Sequence, residues 1–142
     1  MHGVIFDNKH TYRDWGLLEK SRPIVSPPKP KTKLIPVPGS DTVLDLTEHL
    51  TGKVHYEMRT ISFEFVTLAE RERWPQLYSE ILNAIHGKRI RIIMDEDPNY
   101  YYIGRVSVDG FEPEPKTKTA ILTMTAEVEP YKRERFGEGK CL

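Results

Sequence analysis

The sequence predicts a mainly β domain: an antiparallel β-sandwich or rolled sheet with one amphipathic α-helix packed on it. Three observations carry this. Only Arg73 to Gly87 shows apolar residues at helical spacing, with Trp74, Leu77, Tyr78, Ile81, Leu82 and Ile85 recurring on one face. Every other patterned stretch has a period of two. A parallel sheet would need further crossover helices, which a chain with one helix cannot supply.

The helix is legible at both ends. Pro75 sits in the first turn, where the missing N–H has no helical partner to lose. Gly87 is the natural stop, because it adopts the left-handed conformation that closes a helix. His86 and Lys88 put positive character at the carbonyl end. Fourteen or so residues make a rod roughly 21 Å long. Each large apolar side chain contributes roughly 1.5–3 kcal/mol when buried, as an upper bound. A lone helix cannot realise that gain, so this one must lie on a sheet.

The strands follow in order. Val4-Ile5-Phe6 is a short strand closed by the turn Asp7-Asn8-Lys9. Tyr12 to Gly16 fits a single helical turn ending at Gly16, with Trp15 as a core plug, and Leu17 to Ser21 fits another strand. From Arg22 to Pro38 the composition shifts: six of the eleven prolines lie here, interleaved with Lys29, Lys31 and Lys33. Prolines remove ladder donors, so residues 22–38 read as an extended arm or linker, not a central strand. Pro38 to Asp41 is a turn, Val43 to Thr47 a short strand and Thr51-Gly52-Lys53 another turn. Arg59 to Leu68 alternates as a long strand with Ile61, Phe63 and Phe65 inward. Arg89 to Met94, then Tyr100 to Val108, form a hairpin across Asp95-Glu96-Asp97-Pro98-Asn99. Gly104 marks a place where another backbone or a bulky ring approaches closely. Asp109-Gly110 reads as a turn, Glu112-Pro113-Glu114-Pro115 as a stiff exposed loop, and Thr117 to Val128 as the last long strand. Residues 1–130 are thus expected to make one domain, and residues 131–142 a charged, disordered C-terminal tail.

Composition narrows the function classes. Acidic and basic side chains balance at 21 each, which argues against a general polyanion binder. No apolar run approaches the roughly eighteen residues of a membrane-spanning helix, and the N-terminus lacks the basic and apolar regions of a signal peptide. Cys141 is the single cysteine, so an internal disulfide or cysteine-based metal site is not expected, and synthesis in a reducing cytosol is. His2, His10, His49, His55 and His86 show no metal-ligand spacing. The acidic run Asp95-Glu96-Asp97 invites a metal or acid–base reading. Consecutive residues in a tight turn cannot converge on one point, however, and the spaced ligands and glycine of a calcium loop are missing. The run reads as a solvated hairpin tip. With no nucleophile elbow or phosphate-cradling loop, the chain reads on physical grounds as a binding or assembly module. No catalytic, cofactor-binding or metal-ligating residue is expected.

The order of several segments resembles the N-terminal, ring-forming domain of siphophage distal tail proteins, the phage tail component family. These segments are Phe6-Asp7-Asn8-Lys9-His10 with Trp15-Gly16-Leu17, and Pro36-Val37-Pro38-Gly39 with Leu44-Asp45-Leu46. Tyr56-Glu57-Met58-Arg59-Thr60-Ile61 then leads to Phe63 and Phe65. Asp95-Glu96-Asp97-Pro98-Asn99-Tyr100-Tyr101-Tyr102-Ile103-Gly104-Arg105-Val106 is the most distinctive piece, and Ala126 to Lys132 closes the match. The resemblance implies a β-sandwich with a helix on one side and a homo-oligomeric, hexameric ring at the tail tip. Such a ring lies between the tail-tube protein and the tail-tip hub or tail-associated lysin, and DNA passes through its lumen unread. Many relatives continue into a galectin-like β-sandwich that docks receptor-binding proteins. This chain stops soon after Pro130, as a ring-only version, a truncated prophage copy or an expressed fragment would.

The expectation is therefore a structural virion protein of a phage or prophage tail tip, made in the host cytoplasm, not an enzyme and not at a membrane. Pro27, Pro28, Lys29, Pro30 and Lys31 are the candidate inter-subunit arm. Asp95, Glu96, Asp97 and Asn99 are the candidate hairpin on the ring surface or lumen. The competing readings are a tail-tube or tail-completion protein of the same machine, a carbohydrate-binding module using Trp15 or the tyrosines from Tyr100, and a small hydrolase pairing Asp95 or Glu96 with Glu64.

Overall fold

Alternation along the chain sets the inner face of the sheet. In a computed structural model describing residues 2–114 and 118–142, Arg59–Thr67 forms the long strand β7 once the shorter elements before it are counted. Those are β1 (Val4–Phe6), β2 (Lys9–His10), α1 (Thr11–Trp15), β3 (Leu17–Glu19), β4 (Ile24–Val25), β5 (Leu34–Pro36) and β6 (Val43–Asp45). After β7 come a 3-10 turn at Arg71–Arg73, α2 (Trp74–Ile85), β8 (Arg89–Met94), β9 (Tyr100–Glu114), β10 (Thr119–Val128), β11 (Lys132–Glu134) and β12 (Lys140–Cys141). Ile61, Phe63 and Phe65 of β7 are buried, as are Ala120, Leu122, Met124, Ala126 and Val128 of β10, and their neighbours in sequence point outward.

The strands pair antiparallel in the order β2-β1-β8-β9-β10-β7-β3, with β4 also on β7 and β11 on β9. The sheet is curled. Phe6 of β1 and Phe63 of β7 lie four strand steps apart in that order, which in a flat sheet would separate them by roughly 19 Å. Their ring centroids are 5.3 Å apart, edge to face. Trp15, delivered by the single turn of α1, stacks on Phe6 and is buried as the expected core plug.

One side of the roll is closed by α2. Leu77, Ile81 and Ile85 enter the core, while Trp74, Tyr78 and Leu82 are half-buried along its flank. Past the helix, Gly87 takes a φ of +74°, and its N–H reaches the Val106 carbonyl at 2.7 Å. His86 Nδ1 accepts the Val108 N–H at 3.0 Å. The helix end thus occupies the edge of β9 that β8 leaves open, since β8 pairs with β9 only between Tyr102 and Arg105. At Gly104, a Cβ would overlap the Glu127 carbonyl and the Val128 Cα, which is the close backbone approach read from the sequence.

Three expectations are corrected. Asp109-Gly110 is not a turn: Thr123 pairs with Gly110 and Met124 with Val108, so Asp109 is absorbed as a β-bulge and β9 runs on. Glu112-Pro113-Glu114 is consequently strand, paired with β10 through Thr119, Ala120 and Ile121. Proline is tolerated there because the other side of β9 is unpaired beyond the reach of β8. Pro115 and Thr117, also placed in that loop and strand, lie outside the described residues. Finally, residues 131–142 are not a disordered tail. The strand β10 ends opposite Gly104, leaving the start of β9 an open ladder, and β11 fills it with Arg133 opposite Tyr101 and Glu134 opposite Tyr100.

Candidate assembly surfaces

The proline-rich segment is half of a ribbon. Ile24 pairs with Ser62, Val25 with Ile61 and Pro30 with Tyr56, all in one unbroken register. Lys31 N–H donates to the His55 carbonyl at 2.7 Å and Glu57 N–H to the Lys29 carbonyl at 2.7 Å. Strand β7 is therefore the inward continuation of a two-stranded ribbon that leaves the sheet at its Arg59 end. Farther out, β5 and β6 pair Leu34 with Asp45, Ile35 with Leu44 and Pro36 with Val43. The loop 46–53 bulges from the return leg. Thr47 holds Asp45 through both its N–H and its hydroxyl, which draws the Asp45 carboxyl below its ordinary range.

Leu34 and Val43 are each 52% exposed on one ribbon face, Ile35 and Leu44 are exposed on the other, and Leu50 in the loop is 89% exposed. A two-stranded ribbon is marginal in water by itself, and bare apolar edges invite pairing with another chain. Pro27, Pro28, Lys29, Pro30 and Lys31 form the base of this arm. Its apolar distal half and its return leg were not singled out from the sequence.

A buried arginine anchors the base. Arg59 is 9% exposed. Its Nε donates to the Ser26 carbonyl and one terminal nitrogen to the Pro130 carbonyl, both at 3.0 Å. The guanidinium also lies 5.8 Å from the Tyr102 ring centre. One side chain thus ties the outgoing leg of the arm to the end of β10. Nothing in the local pattern distinguishes Arg59 from the solvated arginines, apart from its place on the inward phase of β7.

The Asp95–Asn99 turn closes the β8–β9 hairpin, as read. It is not a free solvated tip, because each carboxylate serves a different neighbour. Asp95 accepts from Gly3 N–H and contacts His10 Nε2, both at 2.8 Å. His10 in turn caps α1 through Nδ1, which accepts the Tyr12 and Arg13 N–H groups. Glu96 pairs with Arg22 at 3.2 Å, and Asp97 with Lys132 at 2.7 Å. The Asp97 hydrogen bond raises the Lys132 ammonium above its ordinary value. Asn99 offers its carbonyl to Arg135 N–H at 2.8 Å. The carboxylates diverge toward the N-terminus, the start of the arm and the C-terminal hairpin, so the turn is a three-way clasp. Nearby, burial raises the Glu19 carboxyl, helped by Glu96 and Asp95.

A second clasp joins the helix side to the C-terminus, with Glu129 accepting from Arg89 at 2.7 Å and Arg133 at 2.9 Å. Burial pushes the Glu129 carboxyl up, but the two guanidinium hydrogen bonds outweigh it and hold it below the usual range. Trp15 is buried and offers no sugar platform. Glu64 forms an ion pair with Lys20 at 3.4 Å. Among the described residues no group of three His, Cys, Asp or Glu side chains is placed to hold a metal ion.

No family model matches the chain, and no curated protein sequence matches it. Among solved structures, the chain is similar to the crystal structure of the phage SPP1 Dit (gp 19.1) protein, described as a paradigm of the hub adsorption apparatus in phages infecting Gram-positive bacteria. The TM-score is 0.73 at 12% identity, over 94% of this chain and 52% of that one. The chain therefore spans about half the length of that protein, and what the two share is a fold.

Proposed function

We propose that this chain is a structural subunit of a phage tail tip: a protomer of a ring, hexameric as in the family it resembles, that joins the tail tube to the tail-tip hub. The observation that carries the reading is the two-stranded arm with apolar side chains bare on both faces, set on a fold shared with a phage hub protein. Such an arm is stable when covered, and a second copy of the same chain is the partner always at hand. An arm on one part of the surface reaching a different part of the next copy is a heterologous contact. That contact closes into a ring when its rotation allows. The partners in this reading are the chain itself, the tail-tube protein, and the hub or tail-associated lysin. DNA crosses the lumen without being read, in keeping with the balanced charge. The Asp95–Asn99 clasp sits at the ring surface or lumen, and no catalytic role is assigned.

The experiment is negative-stain imaging with light scattering on the purified chain. The expected result is rings with a mass six times the 16.5 kDa chain. Replacing residues 33–46 by a short Gly-Ser turn is expected to leave monomers. Rings that stack into tubes would instead make the chain a tail-tube protein. A chain monomeric at every concentration, or an oligomer indifferent to loss of the arm, would overturn the assembly reading.

A further inference from the structure

The ring reading leaves open what the arm lands on, and the described surface carries a feature suited to receive it. Where the N-terminal half of α2 crosses β9, Arg71, Trp74, Pro75, Tyr78, Phe111 and Pro113 line an open groove of about 530 Å³. Its floor is aromatic: the Phe111 ring lies 6.1 Å from Trp74 and 5.3 Å from Tyr78, edge to face in both cases. Trp74 Nε1 donates to the Ala69 carbonyl at 3.0 Å, so the indole is held in place before anything binds. We infer that this groove is the seat for the β5–β6 arm of a second copy of the chain.

Three observations select that occupant. The first is placement. Phe111 is level with Phe65 across β10, whereas the arm leaves beside Arg59. The two lie roughly 20 Å apart along the strands, and the arm departs from the far end. An arm that leaves one end of the sheet and a groove at the other make a head-to-tail pair, the arrangement a ring requires. The second is charge. The first leg of the arm carries Lys29, Lys31 and Lys33, and where the groove continues past Trp74 and Pro113 it is bordered by Glu70, Glu72 and Glu114, with Arg71 and Lys118 beside them. None of the ion pairs among the described residues uses any of these three lysines and three glutamates. The third is chemistry. Leu34, Pro36 and Val43 share one ribbon face, and aliphatic and proline side chains pack well on an aromatic floor.

This inference rests on the assembly reading, and the test separates the two. In one variant Lys29, Lys31 and Lys33 become Glu; in another Glu70, Glu72 and Glu114 become Lys; a third carries both sets. Five of the six positions are exposed and Glu114 is half-buried, and circular dichroism with urea titration checks that each variant folds. Sedimentation of the wild type and the three variants then reads association. The expected result is at least tenfold weaker association for each single set and recovery in the double set, with the single-set losses shrinking as salt rises. A second readout places the contact. In a Cys141→Ser background under mild oxidation, Leu34→Cys and Pro75→Cys in one chain are expected to give ladders of disulfide-linked copies, whereas either cysteine alone, with no cysteine opposite it, gives no ladder. If arm replacement disperses the wild-type oligomer while the rim reversal leaves it intact and no ladder forms, the groove is not the seat and the ring reading survives. A wild-type chain that never associates overturns both.

Discussion

Arg59 is the side chain on which the arm's attachment turns, and Arg59→Met tests that directly. Methionine keeps much of the unbranched stem and removes the two donors. The Ser26 and Pro130 carbonyls, each bonded at 3.0 Å, then lose charged partners worth about 1.5–3 kcal/mol apiece. Some of that is regained, because Ser26 is only half-buried and water can reach its carbonyl, and because a buried guanidinium no longer has to be desolvated. A net loss of about 2–4 kcal/mol follows, a large share of a stability of about 5–15 kcal/mol for a domain of this kind. Urea unfolding reads it: with m at about 2 kcal/mol per molar, the midpoint falls by roughly 1–2 M while m is unchanged. Amide exchange in the same variant should show faster exchange at Ser26, whose N–H donates to the Thr60 carbonyl, and at Thr60, whose N–H donates to the Ser26 hydroxyl. Arg59→Lys should recover only part of the loss, since a single ammonium cannot span two carbonyls on different segments. A midpoint shift under about 0.3 M, with exchange at the base unaltered, would refute the anchoring role.

Other substitutions probe the core and the clasps. Ile81→Ala, at a fully buried helix position, should cost about 2–5 kcal/mol in urea unfolding, whereas truncating Gln76 on the exposed face should cost under about 0.5 kcal/mol. Gly104→Ala drives a methyl into the Glu127 carbonyl, and a loss of at least about 2 kcal/mol, or failure to accumulate as soluble protein, is expected. His10→Ala removes the α1 cap and one Asp95 partner. It should lower stability by about 1–2 kcal/mol, readable as a lower thermal midpoint. Glu129 supplies a pH test. Its folded carboxyl titrates below the ordinary glutamate value, so its contribution is complete above about pH 4.5 and is lost as pH falls through the depressed folded value. Glu129→Gln should therefore flatten part of the acid limb of stability against pH, and an acid limb identical to wild type would show that the clasp contributes nothing.

Local periodicity was enough to place α2 and the inner face of β7, and to read β9 and β10 as strands, because burial on one side of an element imposes its repeat on neighbouring residues. It also placed the Asp7–Lys9 turn, the stop at Gly16 and the close approach at Gly104, each of which depends on one residue's backbone freedom or lack of a side chain. Elsewhere the local signal pointed the wrong way. Asp109-Gly110 has turn chemistry, yet β10 is long enough to keep pairing past it, so the extra residue became a bulge. The charge of residues 131–142 suggested a tail, yet the open ladder at Tyr100–Ile103 and the carboxylates of Asp97 and Glu129 were waiting for those lysine and arginine side chains.

The sequence by itself determined a mainly β chain with one amphipathic helix, a stiff proline-rich segment and an acidic turn, since each is written in the order of adjacent residues. Tertiary structure alone decided that the proline-rich segment is one leg of a ribbon whose other leg ends at Tyr56, that Arg59 is buried at its root, and that arm and groove lie at opposite ends of the sheet. Those facts depend on pairing between residues far apart in the chain. No local repeat encodes such pairing, and it is fixed only when the curled sheet brings its partners into register.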